Sequence, residues 1–190
     1  MLQYKLIIQK DATYYAIKKL YRNSFPTLEQ LPWSLLSYRS LTGHSYMVGF
    51  FDNQLLIGFV YLIPYKDILC IMFMAVFPEQ QGKGYGSNIL NQIKELWPHS
   101  RLCLYMEELV PTASNYEERL QRSTFYARNG YLPMNYTVSE SGIVYDMLAA
   151  NGTVTEPEYT NLMSAFLGPY VKRIYHNAWE PLFTALKFIP

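Results

Sequence analysis

The stretch Gln81-Gly82-Lys83-Gly84-Tyr85-Gly86-Ser87 places three glycines at alternate positions between an apolar run and a helix-patterned run. Glycines so spaced let the backbone bend closely and turn several N–H groups toward one point. The helix that follows adds first-turn N–H groups without internal partners, together with the positive end of its dipole. These features make a site for phosphate oxygens. Spacing excludes two nucleotide patterns. A P-loop needs GxxxxGK[ST], but Lys83 is followed by Gly84 and the upstream glycine is missing. A dinucleotide fingerprint needs GxGxxG, whereas this loop reads GxGxG and lies far from the first strand of the chain. The competing reading is a glycine-rich turn that serves only to turn the chain.

The elements that must position this loop are legible as alternating patterns. A strand is expected at about 2–9, with Leu2, Tyr4, Leu6 and Ile8 on one face. Asp11 reads as an N-cap for a helix from Ala12 to Arg22, and a second helical segment over Leu28–Leu41 has Pro32 near its start or dividing it. Tyr46 to Phe51 and Leu55 to Ile63 flank Asp52-Asn53-Gln54 as an antiparallel hairpin. Ile68 to Phe77 is continuously apolar, the pattern of a strand covered on both faces. The glycine loop and a helix bearing Ile89, Leu90, Ile93, Leu96 and Trp97 follow, then a strand over Leu102–Met106. Tyr116 to Arg128 reads as a charged amphipathic helix stopped by Asn129-Gly130. Strands near Tyr131–Ser139 and Ile143–Ala149 come next, and from Thr155 the pattern is helical, divided at Gly168-Pro169.

In this setting, Val76-x-Pro-Glu-x-Gln81-Gly-Lys-Gly84-Tyr-Gly86-Ser87 resembles the acetyl-coenzyme A loop of the GNAT N-acetyltransferase superfamily. That signature is Arg or Gln, two residues, Gly, one residue, then Gly or Ala; Gln81, Gly84 and Gly86 fill its three fixed places. The resemblance covers about 44–149 in element order and is sharpest at 74–90 and 125–131. It implies an α/β fold with a mixed, mostly antiparallel central sheet, splayed at its middle strands and flanked by helices. It divides the chain into an acetyltransferase domain at 1–150 and a helical C-terminal extension at 151–190. It also implies that the backbone N–H groups of Gln81, Gly82, Lys83, Gly84, Tyr85, Gly86 and Ser87 hold the pyrophosphate of coenzyme A. Val76 would pair its backbone with the pantetheine amides, as an added strand would. Lys83 would either add charge near phosphate or stand in solvent.

A second match lies at Ser123-Thr124-Phe125-Tyr126-Ala127-Arg128-Asn129-Gly130-Tyr131, which resembles the later family helix ending in Phe-Tyr, then Gly and an aromatic. By that resemblance Tyr126 protonates the departing thiolate as general acid, against a reading in which it only packs on the sheet. An Asn that binds pantetheine commonly stands about seven residues before the helix tyrosine; here that position is Arg119, and Asn115 lies one turn upstream. Asn115 is the candidate if the helix starts later. A base is harder to assign, because the central strand carries no carboxylate. Glu107 and Glu108 close the next strand, and alternation sends them to opposite faces. Glu107 is the candidate, as a base through water or an anchor for a cationic amine, against a solvated strand end. His44, alone before a strand, reads as structural. The cluster Glu117, Glu118, Arg119 and Arg122 reads as a solvated helical face with Glu118 and Arg122 paired four residues apart.

The expected reaction is direct acetyl transfer from acetyl-CoA to a primary amine of a small-molecule or peptide acceptor, with no metal. A coenzyme A-binding sensor of the same fold, without turnover, is the alternative. A nucleotide-binding protein using the glycine loop would instead show ATP or GTP competing with coenzyme A. Neither Cys70 nor Cys103 suits covalent catalysis, since both lie in apolar runs and read as buried small hydrophobes.

Composition narrows the partners. The 190 residues carry 16 Lys+Arg against 15 Asp+Glu, a formal charge of +1 that offers no basic face for nucleic acid. Charged residues make up 16%, below the roughly 25% usual in soluble domains. Half the chain is apolar, which excludes global disorder. Tyr65-Lys66-Asp67 cuts the most apolar region, Leu55 to Phe77, into pieces shorter than the roughly 18–20 residues of a spanning helix. The N-terminus lacks the pattern of a signal peptide, so a cytoplasmic location is expected. Tyr159, Phe166, Tyr170, Ile174, Trp179, Phe183 and Phe188 give the extension too many large apolar groups for a free tail. It is expected to dock on the domain or on a second copy as a homodimer contact.

Overall fold

The computed structural model describes residues 1–140 and 142–174. The chain forms two compact units, Met1–Ser100 and Arg101–Pro190. The described residues of the two units hold seven strands and five α-helices, and the described strand pairings within each unit are antiparallel. The fold is mixed α/β, as expected.

In the first unit, strands β1 (Gln3–Leu6), β2 (Tyr46–Asp52), β3 (Leu55–Tyr65) and β4 (Ile68–Val76) pair in chain order. Helix α1 (Ala12–Ser24) starts where Asp11 accepts the Tyr14 N–H at 3.0 Å, the expected cap. Its buried residues Tyr14, Ile17, Leu20 and Tyr21 recur at helical spacing. Pro32 caps helix α2 (Trp33–Leu41), separating it from a single 3-10 turn at Thr27–Glu29, so the proline divides the segment. The Tyr21 ring lies 4.9 Å from Phe73 and 5.4 Å from Trp33. The polar tips in this aromatic core are satisfied, as burial requires. Tyr14 meets Ser37 at 2.8 Å, Tyr21 donates to the Leu31 carbonyl at 3.1 Å and Tyr61 to that of Leu36 at 3.0 Å. Burial raises the Tyr21 and Tyr61 hydroxyls above the usual tyrosine range. The tyrosines are therefore framework here.

β4 is covered on both faces, which its unbroken apolar sequence required. Helix α3 (Tyr85–Leu96) buries Ile89, Leu90 and Ile93, and its Gln92 donates to the Leu2 carbonyl at 2.7 Å. One expectation fails at β1. The strand is shorter than 2–9, and Tyr4, Leu6 and Ile8 are exposed whereas Leu2 and Ile7 are buried. After Leu6 the strand pattern ends while the Ile7 N–H bonds the Met47 carbonyl at 2.8 Å, which turns Ile7 inward.

The second unit holds β5 (Arg101–Glu107), α4 (Tyr116–Arg128), β6 (Leu132–Glu140), β7 (Ile143–Ala150) and α5 (Glu156–Ile174), with β7 between β5 and β6. Helix α4 ends in a Schellman motif: Tyr131 N–H bonds the Tyr126 carbonyl, Gly130 N–H bonds that of Ala127, and Gly130 sits at φ 77°. Helix α5 opens with a capping box, in which Glu158 reaches back to the Thr155 N–H at 2.9 Å. Gly168, at φ 64° and ψ 166°, breaks α5 at the expected place. Tyr159 and Phe166 are buried, and the Tyr159 ring lies 6.2 Å from Tyr105 of β5. Trp179, Phe183 and Phe188 lie outside the described residues, and so do the side chains of Tyr170 and Ile174.

Candidate active site

The glycine loop connects β4 to α3. Chain direction reverses there through a 3-10 turn at Pro78–Gln80, after which Gly82 and Gly84 adopt φ 73° and 81°. A side chain at either position would sit in a left-handed conformation that L-residues reach at a cost of roughly 1–2 kcal/mol. Gly84 is the residue that opens α3, and no side chain caps the helix. The N–H groups of Tyr85, Gly86 and Ser87 therefore have no capping side chain, the condition in which a helix start takes an external anion. Gly86 lies within the helix and contributes its N–H there. Lys83 reaches across the loop to Gln80 at 3.1 Å in solvent.

Val76 and Gln81 are brought together. Register pairs Val76 with Gly58, and the Phe77 N–H bonds the Ile57 carbonyl at 2.9 Å. In an antiparallel ladder that alternation turns the Val76 N–H and C=O away from β3. The Gln81 side-chain amide donates to that Val76 carbonyl at 3.0 Å, tying the middle of the loop to the strand end. Gly58 is required for the close pairing: a Cβ there would lie 2.3 Å from the Ala75 carbonyl oxygen. The Tyr85 hydroxyl donates to Asp52 on β2 at 2.7 Å. No spacing rule joins residues so far apart in sequence, so sequence reasoning missed Asp52.

In the second unit, Tyr126 stands in the last turn of α4, its carbonyl held by the Schellman motif and its ring 6.1 Å from that of Tyr131. The residue is half-buried. Burial raises the hydroxyl above its ordinary value, and the Arg122 charge partly opposes that. The group stays a protonated donor at neutral pH.

Glu107 closes β5 with its side chain 14% exposed. One oxygen is 2.9 Å from the Arg119 guanidinium and the other is paired with Arg122. Asn115 also donates to it, at 3.3 Å, and accepts from Arg119 at 2.8 Å. Arg119 further donates to the Glu108 carbonyl at 2.7 Å. The carboxylate at the end of β5 thus takes Arg119 inward from the expected solvated helical face and pairs with Arg122, which stays 40% exposed. Glu117 and Glu118 are exposed. His44 is exposed and hydrogen-bonded to Thr42 at 3.0 Å. Cys70 and Cys103 are buried, and no disulfide joins them. Among the described residues no group of His, Cys, Asp and Glu is arranged to hold a metal, and no helix is long and apolar enough to cross a membrane.

Residues 43–133, which include the loop and most of α4's surroundings, match the family description "Acetyltransferase (GNAT) domain". These residues are a GNAT acetyltransferase domain. Solved structures share the fold around it. A GNAT-family protein from Bacteroides thetaiotaomicron superposes with a TM-score of 0.73 at 19% identity, over 89% of this chain and 98% of its own. A GNAT-family acetyltransferase from Elizabethkingia anophelis with acetyl-CoA bound gives 0.54 at 12% identity, over 78% and 97%. The aminoglycoside 6'-N-acetyltransferase from Enterococcus faecium gives 0.57 at 12% identity, over 78% and 96%. A comparison with curated protein sequences found no significant match. The GNAT domain contains Val76, the 81–87 loop, Glu107, Asn115 and Tyr126.

Proposed function

We propose that this protein transfers the acetyl group of acetyl-CoA to a primary amine of a small-molecule or peptide acceptor. The observation that carries the reading is the loop at 82–87: two left-handed glycines deliver the chain into a helix whose start no side chain caps. Those backbone N–H groups suit pyrophosphate oxygens, and the outward-turned backbone of Val76 suits the pantetheine amides. The neutral amine attacks the thioester carbonyl, and the tetrahedral oxyanion takes a backbone N–H near Val76. Collapse breaks the carbon–sulfur bond, Tyr126 gives its proton to the thiolate, and the ammonium proton leaves to solvent or a base. The hydroxyl of Tyr126, raised by burial, supports a proton-donor role.

Glu107 enters this proposal as an organiser. With both oxygens on guanidinium groups, it fixes Arg119, Arg122 and Asn115 on the first turns of α4. Both oxygens are already taken by guanidinium groups, and those cations repel a cationic amine. Asn115 and Arg119 then offer amide and guanidinium donors where the family carries its pantetheine-binding Asn. That same engagement of Glu107 favours the second reading, a coenzyme A sensor without turnover.

The test is thiol release from acetyl-CoA measured against a panel of primary amines, beside calorimetric titration with coenzyme A. Turnover with any amine supports the transferase. Binding without turnover supports the sensor, and absence of binding removes both.

A further inference from the structure

The loop from Phe77 to Tyr85 is tied down at its start, middle and end. At its start the Phe77 N–H bonds the Ile57 carbonyl at 2.9 Å. In the middle, Gln81 bonds the Val76 carbonyl at 3.0 Å. At its end, the Tyr85 hydroxyl bonds Asp52 at 2.7 Å. The first and last of these ties reach one β-hairpin, β2–β3, whose pairing slips by one residue between Phe50 and Phe51. The 2.7 Å contact is a charge-assisted bond between a part-buried phenol and a carboxylate. The acceptor raises the Tyr85 hydroxyl above its ordinary value, so it remains a donor through neutral pH.

We infer that Tyr85 is a positioning residue whose bond to Asp52 holds the glycine loop and the first turn of α3 ready for coenzyme A before the coenzyme arrives. The inference rests on the coenzyme reading above and adds a role for two side chains. The benefit is preorganisation: a loop already fixed loses less freedom on binding. The alternative role for Asp52 has the opposite sign. A carboxylate near a phosphate site repels the ligand, so its removal would tighten binding if the charge alone mattered.

Three variants separate these possibilities. Tyr85→Phe and Asp52→Ala abolish the bond, whereas Asp52→Asn removes the charge but keeps an oxygen that accepts the hydroxyl. Amide exchange at 82–88 in the ligand-free protein and coenzyme A affinity by calorimetry are both read. Tyr85→Phe and Asp52→Ala are expected to speed exchange and weaken affinity by about tenfold each, the worth of one charged hydrogen bond. Asp52→Asn should stay near wild type, and the double variant Tyr85→Phe/Asp52→Ala should be no weaker than either single one. In turnover, the KM for acetyl-CoA should rise more than kcat falls. Unchanged exchange in Tyr85→Phe overturns the inference without touching the coenzyme reading. So does tighter binding by Asp52→Ala, or an Asp52→Asn variant as weak as Asp52→Ala. Wild-type protein that does not bind coenzyme A overturns both.

Discussion

At the scale of single residues, Tyr126 differs from the other tyrosines by the place its backbone occupies. Tyr21 and Tyr61 spend their hydroxyls on carbonyls of their own unit and are raised by burial into permanent neutrality. Tyr126 has its carbonyl fixed by the Schellman motif, stays half-buried, and has its hydroxyl raised above the ordinary tyrosine value. If that hydroxyl protonates the thiolate, Tyr126→Phe should lower kcat by about 100-fold, a typical general-acid contribution, with little change in coenzyme A affinity. Steady-state kinetics with calorimetric titration of the same variant checks this. Residue-scale reading of sequence was strong where backbone demanded a particular amino acid. Gly82, Gly84 and Gly130 were legible because positive φ favours glycine. The Glu107 ion pairs and the Tyr85–Asp52 bond were not, since they join side chains across folded distance and leave no local spacing.

At the scale of elements, the ends of helices carry much of the information. Helix α5 has a capping box, and Glu158 also meets Arg101 at 2.8 Å. The Arg101 hydrogen bond, with those from Thr155, holds the Glu158 carboxyl down at about 2. A depressed folded pKa gives stability that is fully present above the unfolded value and fades as pH falls through the folded one. The contribution should be complete above about pH 4.5 and lost toward pH 2. Glu158→Gln is expected to lower Tm by about 2 °C at pH 7, a modest effect because the pair is partly solvated. The difference from wild type should shrink as pH falls through that window, as thermal melts monitored by circular dichroism would register. Sequence located α1, α3, α4 and the break in α5 because caps and stop signals are local. It overextended β1, which spans Gln3–Leu6 rather than about 2–9, and its alternation left open which face is covered. Alternation states that two faces differ, and only the fold says which is covered.

At the scale of the whole molecule, the low charge has a physical cost and a functional consistency. A formal charge of +1 and an isoelectric point near 7.7 leave little electrostatic repulsion between copies at neutral pH. Solubility is expected to pass through a minimum near pH 7.7 and to recover on either side, as light scattering across a pH series would show. Backbone N–H groups can meet phosphate without a basic patch, so recognition of an anionic coenzyme does not contradict that composition.

The open start of α3 carries a consequence for stability. A helix opened by glycine rather than by a capping side chain lacks roughly a few tenths of a kcal/mol, and an anion seated there would supply it. Ligand and first turn are then one cooperative unit: coenzyme A in excess of its Kd should slow amide exchange at 85–88 and raise Tm with the logarithm of its concentration. An exchange rate at those amides indifferent to saturating coenzyme A would show that the helix start is not where the phosphates rest. With slowed exchange, the protein is most complete, as a folded object, only while holding its coenzyme.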